Sequence, residues 1–127
     1  MNLLLDSHVA LWWADDPARL DPGCRAAIAA PETDVWFSAA SAWELSIKVR
    51  SGKLSVDVGR LVRRLRDDGV SLLGIGIEHA SAAGGLAWDH RDPFDRMLVA
   101  QADVQDLTLA TRDSAMLGSL GSRAMRA

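Results

Sequence analysis

The sequence predicts an α/β protein: a three-layer α/β/α sandwich around a central, mainly parallel sheet. Three observations lead there. Short apolar runs, Leu3-Leu4-Leu5, Val35-Trp36-Phe37 and Leu107-Thr108-Leu109-Ala110, read as buried strands. Longer stretches with helical spacing and helix-opening residues separate them. Strands separated by helices must cross over and pair in parallel, with helices covering both faces.

The elements follow in order. Asn2–Asp6 is the first strand. Ser7 is placed to cap a helix carrying Val9, Leu11, Trp12 and Trp13, which Pro17 interrupts. Asp21-Pro22 opens a second helix through Ala30, with proline in the first turn, and Pro31 ends it. Asp34–Ser38 is a strand and Ala39–Ser51 a helix, with Gly52 suited to its C-terminal cap. Asp57–Asp68 is amphipathic, with Val58, Leu61, Val62 and Leu65 on one face and Gly69 as the stop. Val70–Ile77 has strand character weakened by Gly74 and Gly76, and Glu78–Leu86 is a short helix. Asp92 caps a helix with Pro93 at its first position, running to about Asp103. Leu107–Ala110 is a strand and Ser114–Leu117 a short helix; whether Arg123–Ala127 forms a further strand stays open.

Composition narrows the class. A chain of 127 residues that is 49% hydrophobic is expected to form one domain, residues 1–127, with a real core. No apolar run approaches a membrane helix, so no membrane is expected. The N-terminal run lacks the pattern of a signal peptide, and the single Cys24 cannot form an internal disulfide, so a cytoplasmic location is expected. The net charge of −3 does not advertise nucleic-acid binding, but arginine outnumbers lysine 12 to 2. Arg91, Arg96 and Arg112 flank acidic positions. Arg60, Arg63, Arg64 and Arg66 form a cluster apart from them.

Four carboxylates occupy boundaries of these elements. Asp6 closes the first strand and Glu44 sits in the apolar Ala42-Trp43-Glu44-Leu45. Asp95 lies in the first turn of the Pro93 helix, and Asp113 follows the last firm strand. Each has a local role open to it: Asp6 and Asp113 as helix caps, Asp95 as a dipole partner beside Asp92, Glu44 as a partner of Lys48 one turn on. Together they are placed to converge at one edge of the sheet, where open α/β folds keep their sites. Converging carboxylates suit a hard divalent cation, Mg²⁺ or Mn²⁺. His8, His79 and His90 lack a zinc-like spacing.

These segments resemble the PIN-domain ribonucleases, specifically the VapC-type toxins of bacterial type II toxin–antitoxin pairs. The resemblance is carried by Leu4-Leu5-Asp6-Ser7-His8, by Ser38-Ala39-Ala40-Ser41-Ala42-Trp43-Glu44-Leu45, by His90-Arg91-Asp92-Pro93-Phe94-Asp95-Arg96 and by Leu109-Ala110-Thr111-Arg112-Asp113, in family order. Ser7 stands where many relatives carry threonine. The resemblance implies a PIN-like fold and a metal-dependent endoribonuclease whose metal-binding and catalytic acids are Asp6, Glu44, Asp95 and Asp113. It implies supporting roles for Ser7, Thr111 and Asp92, an RNA substrate, a cognate antitoxin, and a homodimer; Arg91, Arg96 and Arg112, from their place beside the acids, are expected to hold the phosphates of that RNA. Two other readings compete: a catalytically silent PIN-like scaffold and a receiver-type signalling domain. The receiver needs a late lysine, and the only lysines are Lys48 and Lys53.

Overall fold

In the computed structural model, which describes residues 1–127, five strands form one parallel sheet. The strands are β1 (Asn2–Leu5), β2 (Asp34–Ser38), β3 (Ser71–Leu73), β4 (Thr108–Thr111) and β5 (Ala124–Arg126). Their spatial order is β3-β2-β1-β4-β5. The apolar β1 lies in the middle, with Leu4 opposite Trp36 on one side and Leu109 on the other. A central strand is covered on both faces, so its side chains must be apolar at every position. Leu3, Leu4 and Leu5 are fully buried.

Strand alternation divides the core in two. Leu3, Leu5, Val35, Phe37 and Ala110 point to one face. There they meet Val9 and Ala10 of α1 (Ser7–Asp15), Cys24 and Ile28 of α2 (Pro22–Ala29), Leu45 of α3 (Ala39–Arg50) and Leu61 and Leu65 of α4 (Val58–Asp67). Leu4 and Leu109 point the other way. They pack on Leu98, Val99 and Ala102 of α6 (Pro93–Val104) and Met116 of α7 (Ser114–Leu120). The short α5 (Ile77–Gly85) packs along α6. The expected three-layer sandwich is therefore what forms. No helix is long and apolar enough to cross a membrane.

Several boundaries differ from expectation for definable reasons. Of the two caps the sequence offers for α1, Ser7 and Asp6, it is Asp6 that serves: its carboxylate accepts from Ser7 N at 2.8 Å. The third strand is only Ser71–Leu73, because the chain leaves the sheet at Gly74. From there, Gly76 N donates to His79 Nδ1 at 2.9 Å and opens α5 one residue earlier than expected, at Ile77. The fourth strand is shifted by one, to Thr108–Thr111, and α7 continues to Leu120. The open question at the C-terminus is resolved: Ala124–Arg126 pairs in parallel with β4 and closes the second edge of the sheet. Gly52 and Gly69 take positive φ just beyond α3 and α4, the conformation that stops a helix at least cost to glycine.

Candidate active site

Chain order and strand order diverge at β1. The chain moves from β1 to β2 on one side, and β4 later returns on the other. Such a reversal opens a crevice beyond the carboxyl ends of the strands. Asp6 follows β1 and Asp113 follows β4, so the two straddle it. Glu44 enters from the second turn of α3, and Asp95 from the first turn of α6. A cavity of about 370 Å³ has Asp6, Glu44, Asp95, Asp113 and Asp92 in its lining, with Ser7, Lys48 and Arg112.

The acids are held by their neighbours. Thr111 Oγ1 donates to Asp6 Oδ2 at 2.7 Å and accepts from Asp113 N at 3.0 Å, linking the ends of β1 and β4. Ser7 Oγ donates to Glu44 Oε1 at 2.9 Å. Asp92 caps α6, accepting from Phe94 N at 2.9 Å and Asp95 N at 3.2 Å, and Asp113 caps α7 through Met116 N at 3.0 Å. The local capping roles and the shared cavity thus coexist in the same residues.

Two further side chains, Lys48 from the cavity wall and His90 from outside its lining, contact these acids. Lys48 Nζ lies 3.4 Å from Glu44 Oε2, the pairing one turn apart on α3. His90 Nε2 lies 2.7 Å from Asp95 Oδ2, and its ring stacks on Trp88 with centroids 4.6 Å apart. His90 was not anticipated as a site residue. The only sequence signal was its place in the His90–Asp95 segment, five positions before the acid it contacts.

The electrostatics are those of crowded acids. Burial raises the Asp6 carboxyl above its usual range. Hydrogen bonds from Thr111 and the Ser7 amide oppose that rise, and the Glu44 charge adds to it. Burial likewise pushes Asp95 up to about 6, against the His90 hydrogen bond and with repulsion from Asp92, Asp6 and Asp113.

No three His, Cys, Asp or Glu side chains form a ready-made metal cage. The donor chemistry nevertheless fits a hard divalent ion: five carboxylates in one cavity, with repulsion that a cation relieves. Lys48 and His90 occupy carboxylate oxygens of Glu44 and Asp95 that such an ion would take over.

The arginines are less uniform than their sequence positions. Arg96 donates to four main-chain carbonyls, those of Ala83, Leu86, Trp88 and His90, and so binds a loop rather than facing the cavity. Arg91 is exposed and outside the cavity lining. Arg112 does line it, yet its Nε donates to Ala127 O at 2.7 Å and its Nη2 to Arg19 O at 2.6 Å. In the cluster on α4, Arg60 and Arg64 line a groove that adjoins the cavity, so that cluster is not as remote as the sequence implied.

Comparison with known proteins agrees with this geometry. The PIN domain family model matches residues 3–117. Ribonuclease VapC22 of Mycobacterium tuberculosis is 30% identical over 116 residues, covering 88% of this chain and 87% of that protein. Among solved structures, VapBC2 from Rickettsia felis, bound to a DNA fragment from their promoter, superposes with a TM-score of 0.59 at 14% identity, covering 89% of this chain and 88% of that one. FitAcB from Neisseria gonorrhoeae gives 0.56 at 22% identity, covering 98% and 96%. Those two likenesses are of fold. Taken with the family match over nearly all of its length, they leave a clear assignment: this chain belongs to the PIN-domain family, in its VapC-type branch.

Proposed function

We propose that this chain is a Mg²⁺- or Mn²⁺-dependent endoribonuclease, the toxin of a toxin–antitoxin pair, acting as a single PIN domain in the cytoplasm. The observation that carries the reading is the convergence of Asp6, Glu44, Asp95, Asp113 and Asp92 on one cavity at the reversal point of a parallel sheet. The 30% identity to a ribonuclease supports RNA as the substrate.

Asp6 and Asp95 are the principal ligands in this reading, with Asp113 binding directly or through water. Glu44 would hold a second ion or orient a water at the phosphate. A bound divalent ion would lower the pKa of a coordinated water and neutralise charge on the phosphate. Thr111 and Ser7 fix the orientation of Asp6 and Glu44 by donating to them. Asp92 holds the start of α6, and with it Asp95. Single-stranded RNA is the favoured substrate, because its bases can be splayed away from the scissile phosphate.

The antitoxin would place an arginine or lysine among the four acids, as Lys48 already does for Glu44. A blocking antitoxin complex that leaves the cavity open would refute that mode.

The test is cleavage of single-stranded RNA by purified protein with Mg²⁺ or Mn²⁺, with excess chelator, and by Asp6→Asn and Asp95→Asn. Cleavage should vanish in chelator and fall by orders of magnitude in both variants. Full cleavage in EDTA would overturn the metal requirement. Near-normal rates in both variants would remove these acids from the site, and a wild-type protein inert toward RNA would leave the silent scaffold.

A further inference from the structure

We propose that the groove between α1 and α4 is the track along which single-stranded RNA leaves the acidic cavity. This rests on the ribonuclease reading and adds where the rest of the strand lies. A cavity lined by five carboxylates can accept one phosphate with its metal, but the flanking phosphates need cations. The groove offers them. It has a volume of about 700 Å³, and His8 and Trp12 line both it and the acidic cavity, so the two are continuous.

Arg19, Arg60 and Arg64 line this groove. Its acids are Asp15 and Asp57, and Asp57 is engaged as the cap of α4, accepting from Arg60 N at 3.1 Å. Arg64 has an exposed partner in Asp68 at 3.5 Å, a weak restraint in water. Arg60 and Arg19 form no ion pair with any carboxylate. The Arg19 guanidinium sits 4.9 Å from the centre of the Trp12 ring, at the junction of groove and cavity. The remaining wall includes Leu11, Leu54 and Leu61. Arginines along such a groove hold phosphates by charge without reading sequence, and the apolar wall accommodates the bases.

The depression on the other side of Arg112 also carries Arg19 and Arg126, but it shares only Arg112 with the acidic cavity, and both bonded nitrogens of that arginine are committed to main-chain carbonyls. The same helix supplies internal controls. Arg66 lines a separate depression with Gly69–Leu72, and Arg63 lines neither.

The experiment is binding of an uncleavable single-stranded RNA across a salt series to wild type, Arg60→Ala, Arg60→Lys, Arg63→Ala and Arg66→Ala. Arg60→Ala should bind several-fold more weakly, with a salt slope reduced by about 0.7, the value for one phosphate contact on a single strand. Arg60→Lys should restore most of the slope, and the two control variants should match wild type. If Arg60→Ala binds RNA as Arg63→Ala does, the track is overturned, even if the groove proves to hold a peptide. Wild-type cleavage with unchanged Arg60→Ala binding would sink the track alone. Absence of any wild-type cleavage would sink the ribonuclease reading, while the binding series would still decide the groove.

Discussion

Asp95 is where burial and chemistry oppose each other most clearly. Its carboxyl is pushed up to about 6 by burial first, and by Asp92, Asp6 and Asp113 after that. In the unfolded chain it titrates near 3.9. A folded-state value above the unfolded one means that the protonated form favours folding. That stability is fully present below about pH 4 and is lost as pH rises through about 6. Asp6 shifts in the same direction. Denaturant unfolding in chelator should therefore show wild type losing up to roughly 2 kcal/mol between pH 4 and 7 relative to Asp95→Asn. Above pH 6 the variant should be the more stable protein. Parallel pH profiles for the two would show that the repulsion is absent. At this scale the sequence was legible where a residue's position on an element decides its fate. Asp6, Glu44, Asp95 and Asp113 all line one cavity, as their places at strand ends and helix starts implied. Their partners were legible only within a turn. Lys48 is four residues from Glu44, whereas His90 reaches Asp95 through a loop whose path the residue types do not dictate.

Elements repeat the pattern. β1, β2 and β4 were readable because central strands must be apolar throughout. The third strand was overestimated, since Ile75 and Ile77 look like strand residues but stand exposed after Gly74 has turned the chain away. Ala124–Arg126 carries no pattern of its own and is a strand because β4 is there to pair with it. The loop from Leu86 to Asp92 has no regular structure, and Arg96 of α6 ties it down through four carbonyls. Hydrogen bonds from a charged donor contribute about 1.5–3 kcal/mol each when buried and less when exposed. Arg96→Ala should thus cost roughly 2–4 kcal/mol in denaturant unfolding. Faster hydrogen exchange should be confined to the segment between α5 and α6. Arg96→Lys should recover little, because an ammonium cannot reproduce the planar fork. An unchanged midpoint in Arg96→Ala would show that the loop is held by other contacts.

The whole molecule leaves an apolar stripe uncovered. Trp43 is 59% exposed and Ile47, one turn on, 45%; Trp43 also packs edge-on against Phe94, with ring centroids 5.0 Å apart. Trp43 is the tryptophan the core uses least, since Trp12 and Trp13 are half-buried against it. If this face of α3 joins two copies, Trp43→Glu should shift sedimentation from dimer to monomer. A wild-type chain that stays monomeric at high concentration refutes the dimer. One feature of the sheet also bears on how the molecule comes into being. The hydrogen bond from Thr111 to Asp6 joins residues 105 positions apart, and it can form only once β4 has slotted in beside β1. Parallel pairings across such separations are slow, because the loop must be closed before the contact rewards it. During synthesis Asp6 and Glu44 emerge first, with no opposite wall to face. Asp95 and Asp113 arrive only with the last third of the chain. On the proposed reading, a nascent toxin is no nuclease, and the ribosome that makes it is not exposed to a working site until Asp113 has emerged and β4 has joined β1.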